Sequence, residues 1–308
     1  MTVVFLALLP VAIIIFAGFL MRRTGFVSDA HWVGVDHVCY FVLFPAIIFK
    51  EIAAADFTGV PIWRMAGAII IALCIMFAVL LIARKPLCRA LALNGAQFSS
   101  LYQGATRWHT FIAFAIVPLI FGGDALALAA VSAAAMTPIL NVVNVAVISL
   151  YARDERPSLA RLALIVLRNP FFLASMGGVI WQLLGLQLPA LAAQVLDMVG
   201  RGSLGLALLT VGAGLRIDEA MNAKAVVALA IVLKLAVVPL LIFACLKALG
   251  VTGTPAAVAL LCGAVPTGSG AYVLAKQMGG DAPLIANILT AQVIFAAVTI
   301  PLVLAWLA

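Results

Sequence analysis

Two short stretches of this sequence place polar residues in the middle of long apolar segments. In the first, Arg107 and His109 are followed by Thr110 within an otherwise hydrophobic run. An arginine at the centre of a membrane span costs about 2.5 kcal/mol or more, which favours a functional role over a purely structural pairing with a helix end. Its planar guanidinium suits a carboxylate, so this stretch predicts an anion site. His109 fits a hydrogen-bonded core histidine equally well.

The second stretch is Pro266-Thr267-Gly268-Ser269-Gly270. Proline removes a helical hydrogen bond and glycine raises the entropic cost of helix, so this segment is predicted to unwind. Shifted back by 157 residues, Val265-Pro266-Thr267-Gly268 falls on Trp108-His109-Thr110-Phe111. Two half-helices that begin at these breaks would present partial positive charge to a ligand. The residues expected to break the helices are Trp108, His109, Pro266, Gly268 and Gly270.

The elements that position these stretches are membrane spans. Hydrophobic residues make up 66% of the 308 and charged residues only 9%, with a mean hydropathy of +1.26. A soluble domain carries roughly 25% charged residues, so the composition predicts an all-α integral membrane protein. The net charge of +7 comes from cations in short clusters that form no basic face, which argues against nucleic-acid binding.

Ten segments have the roughly 20 apolar residues that a span requires. They are Val3–Met21, Trp32–Ile52, Ile62–Ala83, Gln97–Ile120, Ala125–Leu150, Leu164–Leu184, Leu191–Leu215, Ala223–Leu249, Pro255–Met278 and Pro283–Ala308. Connections between them are too short for a soluble domain, so residues 1–308 are predicted to form a single transmembrane domain.

Lysine and arginine are unequally divided between the two sides. Twelve fall in alternate loops and four on the opposite side, with Arg107 and Lys234 inside spans. The positive-inside rule then places both termini outside the cytoplasm. Lys234 either snorkels to the interface or faces the crossing as a second cation, and a structural role is favoured for it. Asp36 and His37 open the second span and are expected at the membrane interface.

The two halves of the chain match each other. GGDA at 122–125 recurs at 279–282, and three further pairs share an offset of 160: Pro10 with Pro170, Gly18 with Gly178, and Gly25 with Gly185. Each half holds five spans, so the second copy enters the membrane from the opposite side, as in many secondary transporters. The predicted units are repeat one (1–150), a cytoplasmic linker (151–163) and repeat two (164–308).

Motifs of other function classes are missing from the sequence. It contains no Walker A, HExxH or GxSxG motif and no CxxC pair. We therefore expect neither an enzyme nor a cofactor or metal site, and uphill transport would depend on an ion gradient. Asn141 and Asn144 share one face of the fifth span, where hydrogen bonding between helices is the ordinary role of asparagine.

Five segments resemble the auxin efflux carrier family of bacterial and plant transporters. They are VPTGSGAYVLAKQMGGDA (265–282), QVIFAAVTIPLVLAW (292–306), RNPFFLASMGGVI (168–180), GSLGLALLTVGAGLR (202–216) and MTPILNVVNVAVISLY (136–151). The chain resembles a bacterial member of this family. The resemblance implies ten helices as two inverted five-helix repeats with crossed, broken helices 4 and 9, similar to the bile acid:sodium symporters. It also implies transport of organic anions such as auxin or malonate.

The resemblance assigns further site residues and shows departures. A family asparagine in span five falls on Asn141, whereas the proline expected at the crossing in span four is replaced by Trp108-His109-Thr110. The long loop of plant members between spans five and six is shortened to residues 153–161. The predicted substrate-binding residues are Arg107, His109, Thr110, Asn141, Pro266, Thr267, Gly268 and Ser269.

The sequence as a whole therefore predicts a secondary transporter for a small organic anion in the inner (plasma) membrane. The alternative is a ligand-gated channel or membrane sensor that binds the same anion. Coupling to a proton, with His109 as the titrating group, coupling to sodium, and uniport all stay open, as does a homodimer.

Overall fold

The computed structural model describes residues 2–55, 57–153, 158–215 and 224–305, and within them the secondary structure is entirely helical and without strands. The helices are α1 (Thr2–Arg23), α2 (Asp29–Ala54), α3 (Ile62–Ile82), α4 (Arg84–Ala90), α5 (Gly95–Thr106), α6 (Thr110–Phe121), α7 (Ala125–Ala152), α8 (Leu159–Leu167), α9 (Pro170–Leu183), α10 (Ala190–Ala213), α11 (Lys224–Ala248), α12 (Gly253–Ala264), α13 (Gly270–Met278) and α14 (Ala282–Ala305).

Seven helical segments in the described part of the chain are long and apolar enough to cross a membrane. They are α2, α3, α5 with α6, α7, α10, α11 and α14. The other three predicted spans fall on α1, on α8 with α9, and on α12 with α13. The chain is thus a multi-pass membrane protein.

The predicted span Leu164–Leu184 is not one continuous helix. It divides between α8 and α9, because Asn169 and Pro170 form a helix start. The Asn169 side chain accepts a hydrogen bond from the Phe172 N–H at 3.1 Å, and Pro170 occupies the first turn. Proline disfavours helical backbone at the residue before it, and its missing N–H is harmless only at a helix start. The prediction of a single helix here was wrong.

Prolines inside two other spans widen the helix without ending it. A π-helical turn at Cys39–Leu43 precedes Pro45 in α2, and one at Leu233–Val237 precedes Pro239 in α11. Proline cannot donate to the carbonyl four residues back, so the ladder shifts locally to bonds spanning five residues. Both helices continue past the proline.

Glycines bring pairs of long helices into close contact. Gly18 of α1 lies against the backbone of Leu209 in α10, and Gly212 of α10 lies against Ile15. On the other side of the bundle, a Cβ at Gly178 of α9 would lie 2.9 Å from Cβ of Ile52 in α2. Small residues permit close approach of helix backbones in membranes.

Parts of the sequence predictions concern residues beyond the described ranges. Residues 154–157 of the predicted linker lie outside them, as does Arg216, one of the cations counted for topology. Within the predicted linker, α7 ends at Ala152 and α8 begins at Leu159.

Candidate functional site

Both predicted helix interruptions are present, and they lie against each other. Residues 107–109 separate α5 from α6, and residues 265–269 separate α12 from α13. The Thr267 hydroxyl donates to the carbonyl of Gly104 at 2.8 Å, and a Cβ at Gly268 would lie 2.8 Å from the Trp108 carbonyl oxygen. The two breaks are therefore in contact, and we call this region the crossing.

Two polar side chains from other helices bind the backbone groups that the breaks leave unpaired. Gln292 of α14 accepts from the Thr267 N–H at 2.9 Å and donates to the Gly104 carbonyl at 2.7 Å. Lys234 of α11 is fully buried and donates to the Gly263 carbonyl at 2.9 Å. Because water is scarce at this depth, non-helical backbone needs such partners. The structural role expected for Lys234 agrees with this contact, and the role of Gln292 was not predicted.

A cavity of about 90 Å³ opens beside the crossing. A single water needs roughly 10–15 Å³, so the cavity can hold several waters or a small organic molecule. Most of the predicted site and helix-break residues line it, namely Arg107, Trp108, His109, Thr110, Asn141, Gly268, Ser269 and Gly270. The cavity therefore lies beside the two predicted breaks.

Among the residues that the structure describes, Arg107 is the only arginine or lysine on the wall of this cavity. One terminal nitrogen, Nη2, donates to the Asn141 side-chain oxygen at 3.1 Å. The other, Nη1, is buried without a hydrogen-bond partner among the described residues. A Cβ at Gly270 would lie 3.4 Å from Nη2, so the absence of a side chain there leaves room for the guanidinium. A residue of the cavity wall therefore carries a buried cationic donor that no described residue binds.

Two helix starts point their positive ends toward the same space. Thr110 begins α6 and Gly270 begins α13, and both residues line the cavity. His109, buried with 4% of its surface exposed, immediately precedes α6. Helix N-termini carry unpaired N–H groups and partial positive charge, which stabilise an anion. Arg107 and the two helix N-termini therefore both favour a negatively charged ligand in the cavity.

Two predicted substrate ligands lie elsewhere. Pro266 lines a separate apolar cavity together with Ile15 and Ile300. Thr267 is fully buried, and its hydroxyl is bound to backbone carbonyls of Gly104 and Arg107. The structure therefore places Pro266 and Thr267 in the framework of the crossing, while Gly268 and Ser269 reach the cavity.

Asp36, which is expected at the membrane interface, lines the same cavity as Arg107. It lies seven residues into α2, and Tyr40, one turn later, lines the cavity as well. Within the described ranges no ion pair joins Asp36 to Arg107. Spacing along one helix could have shown that Asp36 and Tyr40 share a face, but it could not show which cavity that face adjoins.

The comparison with protein families agrees with the helical architecture. A family model described as membrane transport protein matches residues 144–304, just over half of the chain. No curated protein matches the chain in sequence. The matched region includes α13, with Gly270 at the cavity, and α14, with Gln292 at the crossing. The chain therefore belongs to the membrane transport protein family, the family of the auxin efflux carriers, which is a family of transporters and not of enzymes.

Proposed function

We propose that this chain is a secondary transporter that moves a small organic anion across the membrane by alternating access. The substrate is a carboxylate or a dicarboxylate such as malonate, or an auxin-like acid. The observation that carries the proposal is that Arg107 lines the cavity while its buried Nη1 has no partner among the described residues.

The energetics of Arg107 support a charged ligand. A cation at the centre of a membrane span costs about 2.5–3.5 kcal/mol on insertion scales, and such residues mark substrate pathways. Its one hydrogen-bonded side chain, Asn141, is neutral and occupies one terminal nitrogen only. A carboxylate would accept from Nη1 and compensate the charge, since hydrogen bonds between ionised groups are roughly twice as strong as neutral ones.

The architecture we propose is ten transmembrane helices in two inverted repeats, 1–150 and 164–308, joined by the linker 151–163. Matching glycines share a positive φ, +74° at Gly25 with +65° at Gly185 and +88° at Gly122 with +82° at Gly279, although ψ differs in the second pair (164° and 19°). Contacts between helices are also equivalent when the two repeats are exchanged. The first helix of repeat one packs on the second of repeat two (α1 on α10), and the first of repeat two packs on the second of repeat one (α9 on α2).

A closed section between two cavities supports alternating access. A second cavity of about 650 Å³ is lined by Lys50, Glu51 and Asp124. Along α2, side chains pass from the first cavity at Tyr40, through the fully buried Phe44, to the second cavity at Lys50. The Phe44 ring stacks on Phe111 of α6 with centroids 4.3 Å apart. A carrier that never opens to both sides at once needs such a section.

The second cavity also fits the proposed orientation. Its wall includes Asp124 and Thr254, which lie at loops that the distribution of cations places outside the cytoplasm. The section around Phe44 is then the barrier on the outer side. The proposed location is the plasma membrane, with both termini outside.

The test is transport in liposomes that contain the purified protein. Uptake of labelled malonate and of monocarboxylates is measured while sodium, pH and membrane potential are varied one at a time, which distinguishes proton coupling, sodium coupling and uniport. We expect saturable transport that Arg107→Gln abolishes. Arg64→Gln, at an exposed arginine near the start of α3, should keep it.

Two results would contradict the proposal. Normal transport by Arg107→Gln would remove the site. Flux that rises linearly with concentration and carries current without saturation would instead favour the ligand-gated channel.

A further inference from the structure

The wall of the cavity at the crossing carries charges of both signs. Arg107 lies at the break between α5 and α6, and Asp36 lies on α2, a different helix. Asp36 is half-buried, interacts with the Thr210 side chain of α10 and with the neighbouring His37, and is not joined to Arg107 by any of the described ion pairs. The cavity therefore offers an acceptor as well as a donor.

A carboxylate inside a membrane span is expensive unless it meets a partner, so an intramembrane acid is by default a candidate functional residue. The ionisable residues on this wall are Asp36, Tyr40, Arg107 and His109. Arg107 is the permanent cation among these four residues, and the substrate's first carboxylate occupies it. A second carboxylate would therefore find no cation of its own among them. A second carboxylate would also face Asp36, and like charges in a water-poor site repel strongly.

We propose that Asp36 binds a hydrogen-bond donor at the far end of the substrate. The preferred substrate is then a short carboxylate that ends in an ammonium or a hydroxyl group, and not in a second carboxylate. This inference rests on the proposed function, because it takes Arg107 as the ligand of the first carboxylate. It narrows the class of organic acid that the site accepts.

The rest of the cavity fits such a molecule. Between its polar groups the wall carries the aromatic side chains of Tyr40, Trp108, Phe111 and Phe171. A volume of about 90 Å³ suits a chain of few atoms. Ligand sites commonly combine an apolar lining with a few polar groups that fix orientation. The methylene groups of a short acid would lie against the rings, with one polar end at each charged residue.

The test uses four acids of nearly equal size that differ at one end: propionate, 3-hydroxypropionate, β-alanine and malonate. Binding of each to the purified full-length protein in detergent is measured by calorimetry at one pH. We expect the wild type to bind β-alanine and 3-hydroxypropionate more tightly than malonate. Asp36→Asn should weaken the binding of β-alanine at least about tenfold, as loss of one partner of a buried charge pair does. The same variant should bind malonate more tightly.

Control variants separate the possible causes. Asp29→Asn removes a carboxylate from the same helix outside the cavity, where it pairs with Arg22 at 2.7 Å, and should leave all four affinities unchanged. Asp36→Glu keeps the charge on a longer arm and should shift preference from β-alanine to the shorter glycine. This second variant tests the same point if Asp36→Asn does not fold.

The outcomes distinguish this inference from the proposed function. If Asp36→Asn changes all four affinities in parallel, Asp36 only sets the charge of the cavity and the inference fails. It fails also if the wild type binds malonate best. In both cases loss of all binding in Arg107→Gln would still support the anion site, whereas unchanged binding in that variant would overturn the site itself.

Discussion

At the scale of single residues, the chemistry of the site depends on the shape of the Arg107 side chain as well as on its charge. Its guanidinium donates to Asn141 through one nitrogen and keeps another free. A lysine ammonium is a compact charge that cannot serve Asn141 and both oxygens of a carboxylate in one plane.

Arg107→Lys is therefore expected to retain weak transport, with the Michaelis constant for the anion raised about tenfold or more, whereas Arg107→Gln loses transport. Initial rates in proteoliposomes over a range of substrate concentrations measure both. Equal activity of the Lys variant and the wild type would show that charge alone is sufficient and that the planar geometry is not used.

Residue types in the sequence identified part of this site. Arg107 and the glycines at 268 and 270 stand out because a cation or a helix breaker is costly in an apolar segment. Asp36 and Gln292 could not be assigned from sequence, since both are polar residues tolerated in several environments. Their roles depend on which helices the fold places beside them, and this information lies in tertiary packing.

At the scale of helices, the crossing depends on backbone contact between two breaks. A Cβ at Gly268 would approach the Trp108 carbonyl oxygen to 2.8 Å, and that oxygen belongs to backbone that cannot rotate away. Sequence predicted the break at Pro266 because proline and glycine act locally on backbone, and it predicted the break at Trp108 from the internal repeat. It did not predict the division at Asn169, where a capping side chain and a proline act together.

Gly268→Ala is accordingly expected to destabilise the folded protein by about 1–3 kcal/mol, the usual cost of overpacking. It should also impair substrate binding, because the breaks would move apart. Gly205→Ala is the matched control, because a Cβ at Gly205 would have no packing neighbour within 4 Å. Thermal unfolding in detergent compares the two, and equal melting temperatures would mean that the crossing tolerates separation.

Because the section around Phe44 is closed, we expect residues within it to become accessible to a thiol reagent only during transport. Ala129 of α7 is fully buried between the two cavities, whereas Ala54 is exposed on the second cavity. In a variant without native cysteines, Ala54→Cys should react with an impermeant thiol reagent from outside at all times. Ala129→Cys should react only during substrate turnover. Constant labelling of Ala129→Cys without substrate would show that this section is not a barrier.

At the scale of the whole molecule, orientation follows from where the cations lie. Several of them make contacts at one end of the bundle: Arg22 pairs with Asp29 at 2.7 Å, and Arg153 donates to the Met278 carbonyl at 2.9 Å. Arg84 lies over the Tyr151 ring, 4.1 Å from its centroid. These residues belong to the twelve lysines and arginines that the sequence assigns to alternate loops.

The side that carries these loops is predicted to be cytoplasmic, because loops rich in lysine and arginine are retained on the inner side during insertion. In intact cells, Ala92→Cys in the loop between α4 and α5 should resist an impermeant thiol reagent, and Thr58→Cys between α2 and α3 should react. A reporter fused after residue 308 should report an external location. The opposite pattern at all three positions would invert the orientation, and it would make the cavity lined by Lys50 and Glu51 face the cytoplasm. A C-terminus on the same side as Ala92 would instead contradict the even number of spans, and with it the pair of five-helix repeats.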